Sequence, residues 1–262
     1  MTIRTSPWPA GVPCWADLTV PDVEAAKAFY GAVLGWAFRD LGPDYGGYAI
    51  AEARGADAAA IGPAQGNDAA SPLWTMYFAS DDADKVAAAV SDSGGTVLLG
   101  PGDVGPMGRM FVATDPTGVR FAVWQAGTHF GAGVVNEPGG LIWEDLRSPD
   151  PDTARAFYSA VFGFRMDSME AAGPDYTTFA LAGEDQPRGG IGGLGEGDGT
   201  SGPGHWLLYF GVPDTDAAVA AAEASGGSVT SPAVDTPYGR MAGLADPNGA
   251  AFWVAQTQVP QS

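Results

Sequence analysis

Cysteine is nearly absent: Cys14 is the single one in 262 residues. That excludes an internal disulfide framework and any cysteine-based zinc site, and it fits a reducing, cytoplasmic setting. Histidine is almost as scarce, with only His129 and His205. Twelve lysines and arginines stand against 31 aspartates and glutamates, a formal net charge of −19. The basic patches that nucleic acid or an anionic membrane surface requires are therefore missing. No apolar run approaches a membrane span, and Met1 to Pro13 lacks an apolar core of signal-peptide length. What is present is a 45% hydrophobic, 16% charged chain, which reads as globular. Its 39 glycines and 21 prolines favour turns and short strands over long helices.

The strongest internal signal is a duplication. Trp15-Ala16-Asp17-Leu18 recurs 128 positions later as Trp143-Glu144-Asp145-Leu146. Ala28-Phe29-Tyr30 returns as Ala156-Phe157-Tyr158, and Gly42-Pro43-Asp44-Tyr45 as Gly173-Pro174-Asp175-Tyr176. Trp74 and Tyr77-Phe78 match Trp206 and Tyr209-Phe210, and Gly94-Gly95 matches Gly226-Gly227. Gly108-Arg109-Met110 matches Gly239-Arg240-Met241. A fixed period of this length means two copies of one domain. The expected division is an arm at 1–12, a first domain at 13–126, a linker at 127–140, a second domain at 141–257 and a tail at 258–262.

Each copy carries a weaker period of strand, helix and two or three strands. Trp15 to Val20 alternates as a strand, and Val23 to Leu34 has helical spacing after Pro21-Asp22 and before Gly35. Strands are expected at Tyr48–Ala53, Ala58–Ile61 and Trp74–Ala79. A helix at about Asp82–Ser91 follows, then strands at Thr96–Leu99, Arg109–Ala113 and Arg120–Gln125. Phe29-Tyr30-x-x-Val33-Leu34-Gly35-Trp36 and Gly108-Arg109 … Asp115-Pro116-x-Gly118 resemble phrases of the vicinal oxygen chelate superfamily of glyoxalases, bleomycin-resistance proteins and dioxygenases. The resemblance covers Pro13 to Thr257. It implies an α+β fold of two tandem domains, each made of paired βαβββ modules wrapping a cup-shaped, eight-stranded sheet.

Metal enzymes of that superfamily take His, Gln or Glu ligands from the first and last strands of the modules. By the resemblance those positions fall on Trp15 and Trp143, on Thr75 or Trp74, on Leu207 or Trp206, and on about Ala122 and Trp253. None is a good ligand, so neither a metal nor another cofactor is expected. Tryptophan at such places can stack on a planar ligand. Trp15, Trp74, Trp124, Trp143, Trp206 and Trp253 are the candidate walls, with Tyr48, Tyr176, Glu144, Arg109 and Arg240 as further ligand contacts.

Strand alternation puts Asp17 beside Trp15 and Asp145 beside Trp143. A carboxylate against an apolar wall is a candidate general acid or base, and His205 is a third candidate catalytic group. A structural alternative pairs these aspartates with Arg109 or Arg240. His205 and Glu144 are peculiar to the second repeat, which makes it the expected seat of any chemistry. The expected function is metal-independent binding, with acid/base conversion, of a small apolar or aromatic metabolite by a monomer. Two alternatives are a sequestering protein of bleomycin-resistance type and a metal-dependent lyase or dioxygenase with an atypical site.

Overall fold

The computed structural model describes residues 4–64, 72–169, 172–173, 175–194 and 203–256; the tail at 258–262 lies outside them. The first repeat runs β1 (Pro13–Val20), α1 (Val23–Leu34), β2 (Ala37–Asp40), β3 (Ala49–Ala53) and β4 (Ala56–Pro63). Its second module follows with β5 (Leu73–Ala79), α2 (Ala83–Asp92), β6 (Thr96–Val104), β7 (Gly108–Thr114) and β8 (Arg120–Ala126). The second repeat supplies β9 (Leu141–Ser148), α3 (Pro151–Phe162), β10 (Arg165–Ser168), β11 (Thr177–Ala180) and β12 (Gly189–Gly193). It ends with β13 (His205–Val212), α4 (Thr215–Ala224), β14 (Ser228–Thr236), β15 (Gly239–Ala245) and β16 (Ala251–Gln256).

The four α-helices of the described residues start in the same way. Asp22, Asp82, Asp150 and Asp214 sit in the N-cap position, and each side chain accepts from the backbone N–H three residues on. Such a cap is worth about 1 kcal/mol. Gly35 and Gly163 close α1 and α3 at φ +70°, a left-handed conformation that glycine adopts without strain. Asp115 and Asp246 turn their hairpins by accepting backbone N–H groups two and four residues on.

Two eight-stranded sheets result, ordered β2-β3-β4-β1-β5-β8-β7-β6 and β10-β11-β12-β9-β13-β16-β15-β14. The paired-module α+β arrangement expected from the sequence is the one observed. In the first sheet β1 and β5 run antiparallel at the centre, each parallel to the last strand of its own module. Asp17 lies opposite Thr75 and Trp15 opposite Tyr77, so these side chains share one face. β2 and β10 went unforeseen: they are four-residue edge strands with little burial, so no apolar alternation marks them.

The other face of each sheet carries the helices, and there the two repeats merge. One buried cluster takes in Phe29, Tyr30, Trp36, Trp74 and Phe78 of the first repeat together with Phe157, Tyr158, Trp206, Phe210 and Phe252 of the second. α1 packs on α4, and α2 on α3. Tyr30 donates to Asp246 of the opposite repeat at 3.4 Å. Gly95 and Gly227 let the rings of Phe157 and Phe29 approach; a Cβ at either would sit under 3 Å from the ring. Among the described residues no helix is long and apolar enough to cross a membrane.

Candidate functional site

The face of the first sheet turned away from the helices is a cup enclosing a cavity of about 790 Å³, within the ordinary range for small-molecule sites. Trp15 and Trp124 form its walls, with Ile50, Met107 and Met110. Tyr45 and Leu41 arrive on the segment between β2 and β3, and Val104 and Met107 on the β6–β7 hairpin. His129, from the connector after β8, stands edge-on to Trp15 at 4.6 Å and to Trp124 at 5.7 Å between ring centroids. Its Nδ1 lies 3.4 Å from Asp57. Burial pushes the Asp57 carboxyl up, but His129 and Arg39 outweigh it and hold the carboxyl below the usual range.

Asp17 is buried at the base of this cup. Tyr48 donates to its Oδ2 at 2.9 Å and Tyr77 to the same oxygen at 2.7 Å, while Trp15 Nε1 donates onward to the Tyr48 hydroxyl at 3.2 Å. Among the described residues Oδ1 accepts no hydrogen bond. Burial raises the pKa of Asp17, and the Tyr77 and Tyr48 hydroxyls and the charge of Arg120 pull it back only in part. Both phenols are raised well above their ordinary value, first by burial and then by the adjacent carboxylate. They therefore remain donors at neutral pH.

The second sheet repeats the motif with a different outcome. Tyr176 and Tyr209 donate to Asp145 at 2.6 and 3.0 Å, as Tyr48 and Tyr77 do to Asp17. Tyr48 precedes β3 as Tyr176 precedes β11, so Tyr48 and not the Tyr45 of the repeated Gly-Pro-Asp-Tyr phrase is the spatial counterpart of Tyr176. Here, however, Trp143 Nε1 bonds the carboxylate directly at 2.9 Å and Arg147 pairs with it at 3.2 Å. Both oxygens are occupied and the charge is countered. Trp253, Tyr209 and Leu207 pack together there, with Trp143 and Met241 against them. Position 147 corresponds to Thr19 in the first repeat, which carries no charge.

The expected site residues thus divide. Trp15, Asp17, Tyr48 and Trp124 meet in the first cup; Trp143, Asp145, Tyr176 and Trp253 lie on the matching face of the second sheet. Trp74 and Trp206 do not: one residue out of phase with Thr75 and Leu207, they face the shared core, where Trp74 lies 5.2 Å from Phe210. Arg109 pairs with Asp84 and Asp103, and Arg240 with Asp216 and Asp235, so both clamp hairpins to helices at the surface. His205 stands opposite Arg147 at the start of β13, with Nδ1 at 3.1 Å from the Pro203 carbonyl. Glu144 is buried on the face opposite Asp145. The pairing of Asp17 or Asp145 with Arg109 or Arg240 is not seen. Tyr77, Tyr209 and His129 went unforeseen, although the two tyrosines stand in a repeated phrase.

The described residues do not offer a donor set that suits a divalent metal. Among the described residues no three His, Cys, Asp or Glu side chains come together. The floor positions Trp15, Tyr77 and Ala122 are neighbours across β1, β5 and β8 and bring no carboxylate or imidazole.

Position 190 separates the two cups. A Cβ there would collide with the Tyr176 hydroxyl and lie 2.5 Å from Asp145 Oδ1, whereas its counterpart beside Asp17 is already an alanine, Ala60. Gly190→Ala is expected to cost about 1–3 kcal/mol by overpacking, while Ala60→Gly, at the matching place in the first sheet, should relieve no such contact. Thermal melts of the Gly190→Ala variant check the loss.

Comparison with known proteins agrees with this architecture. The family model of the Glyoxalase/Bleomycin resistance protein/Dioxygenase superfamily matches residues 14–123 and again 129–254. CFP32 of Mycobacterium tuberculosis, named a glyoxylase by inference, is 42% identical over 257 residues, covering 96% of this chain and 97% of its own length. The anthracycline biosynthesis protein DauV of a Streptomyces species is 38% identical, covering 94% of this chain and 93% of its own. Among solved structures, the Mn(II)-bound glyoxalase of Novosphingobium aromaticivorans superposes with a TM-score of 0.65 at 18% identity. That match covers 96% of this chain and 86% of the other, and at this identity it speaks for the fold alone.

Proposed function

The chain belongs to the glyoxalase/bleomycin resistance protein/dioxygenase superfamily, and on that premise we propose that its first cup binds a flat, largely apolar metabolite and moves a proton on it through Asp17, without a metal. The observation that carries this reading is the contrast between two copies of one motif. Asp145 has both oxygens bonded and Arg147 paired with it, whereas both phenols on Asp17 share Oδ2. Its Oδ1 accepts no hydrogen bond among the described residues, and Arg120 acts on it through charge without a hydrogen bond to it. The first is a satisfied structural carboxylate; the second is a base.

In this reading the substrate lies between the indoles of Trp15 and Trp124, which offer planar apolar surface. Oδ1 takes a proton from an acidic C–H of the substrate, the electron pair passing into an adjacent conjugated carbonyl. It returns the proton at another position of the same molecule, which restores the carboxylate. Tyr48 and Tyr77 hold Oδ2 and fix the direction of the free lone pairs, and Trp15 anchors Tyr48. A carboxyl raised by burial is a stronger base than an exposed one. DauV is named for anthracycline biosynthesis, and a fused-ring aromatic polyketide is the substrate class we assign to a cavity of this size and lining. The preference for the second repeat gives way, in this reading, to the first.

Incubation with candidate anthracyclinone-type aglycones, followed by product analysis, tests the reading. Conversion that survives dialysis against a chelator is expected. A ligand that quenches tryptophan fluorescence but is recovered unchanged would place the chain with sequestering proteins. Activity lost to the chelator and restored by metal would place it with the metal enzymes.

The contrast also supplies a designed test. Thr19→Arg gives the first cup the counterpart of Arg147, and the new guanidinium is expected to pair with Asp17. Such a pair lowers a carboxylate's pKa by about 1–3 units, so the base weakens and turnover should fall at least about tenfold. Steady-state rates for Thr19→Arg beside Arg147→Thr check this; the second variant should keep its rate.

A further inference from the structure

A buried glutamate without a hydrogen-bond partner lies behind the second cup. Glu144 is 6% exposed, and it occupies the place where the first repeat has the core alanine Ala16. Among the described residues its carboxyl takes part in no hydrogen bond or ion pair. Burial, and then the neighbouring Asp145, push its pKa well up against the opposing charge of Arg188. A carboxyl buried without a hydrogen-bond partner is less favourable than a packed apolar side chain, so the residue is a poor choice for folding alone.

Glu144 lines a recess of about 100 Å³ between the amino-terminal arm, the start of β9 and the segment before β12. Asn136 and Gln186 also line it, and Val12 and Pro13 border it with apolar residues. Arg188 also borders the recess; its guanidinium bonds Glu184 at 2.6 and 2.9 Å and reaches Glu144 only through charge, with no hydrogen bond or ion pair to it.

We propose that this recess is a second binding site, separate from the cups, for a short primary alkylammonium ion. The –NH₃⁺ head has three donors and no acceptor; Glu144 takes one, and the amide oxygens of Asn136 and Gln186 can take the others. The alkyl chain lies against Val12 and Pro13. An apolar cavity of about 150 Å³ holds benzene, so this recess fits a chain of about three carbons. The net charge of −19 concentrates cations around the molecule and disfavours an anionic occupant.

The experiment uses the full chain with n-propylammonium chloride, sodium propionate and sodium chloride at matched ionic strength, read by calorimetric titration and thermal melts. Propylammonium should bind with unit stoichiometry and raise Tm by about 3 °C at roughly ten times Kd, whereas propionate should do neither. Glu144→Gln keeps the shape and should weaken binding at least tenfold; Glu144→Leu should abolish it. Should the leucine variant fail to fold, the glutamine variant and the ammonium–propionate contrast still decide. No ammonium-specific binding by the unaltered chain, or binding undiminished in both variants, would overturn the proposal.

Discussion

Asp17→Asn is expected to cut turnover by about 10²- to 10⁴-fold, the usual contribution of a positioned acid or base, while leaving ligand binding within a few-fold. Asparagine has nearly the shape of aspartate, and its carbonyl oxygen can still accept from Tyr48 and Tyr77, so Trp15 should stay in place through Tyr48. What is lost is the proton acceptor at Oδ1. Asp145→Asn should leave the rate unchanged, because that carboxylate serves Tyr176, Tyr209, Trp143 and Arg147. The pH profile carries a second signature. A base works only when ionised, and burial has raised the Asp17 pKa. The rate should therefore rise with pH through a midpoint above the ordinary carboxyl range, and Asp17→Asn should erase that limb. Equal losses in Asp17→Asn and Asp145→Asn would point to a scaffold role for both.

Phe78→Ala is expected to destabilise the whole molecule by about 3–5 kcal/mol, the usual cost of a buried phenylalanine. The ring is fully buried on β5 and touches the second repeat as much as the first: Phe162 at 4.8 Å, Trp206 at 5.4 Å and Tyr158 at 5.9 Å between centroids. At about 2–4 °C per kcal/mol for a chain of this size, Tm should fall by roughly 10 °C. The shared core makes a further demand. Because residues of both repeats are interleaved in one cluster, the two halves should unfold in a single calorimetric transition, in the variant as in the parent. Two transitions, with only the first moved, would show that the repeats fold as independent units and that their contact adds little.

Sequence patterning reaches the fold because each signal has a local physical cause. The four aspartates that cap helices and the glycines at 35 and 163 act over three or four residues, so they are readable without a partner. The cups are harder. Alternation shows that Trp74 and Thr75 face opposite ways, but not which face lies against helices. That depends on the other repeat packing behind the sheet, so Trp74 and Trp206 are legible as strand residues and illegible as core. Tyr77 and His129 approach Asp17 and Trp15 from other segments, and sequence distance hides them. One contrast between the repeats is local and readable: aligned at an offset of 128, Thr19 corresponds to Arg147, which pairs with Asp145. His205 and Glu144 are what the second repeat adds, and its Asp145 has both oxygens bonded.

The central claim is that Asp17 is an open, raised carboxyl in the ligand cup. Carboxyl-¹³C NMR of aspartate-labelled protein, with the Asp17 resonance assigned by its loss in Asp17→Asn, follows that group directly through a pH titration with and without an aromatic ligand. The account predicts a midpoint above the ordinary aspartate value and a resonance that moves when the ligand binds. An Asp17 signal that titrates like an exposed aspartate and ignores a ligand known to quench the tryptophans would contradict it.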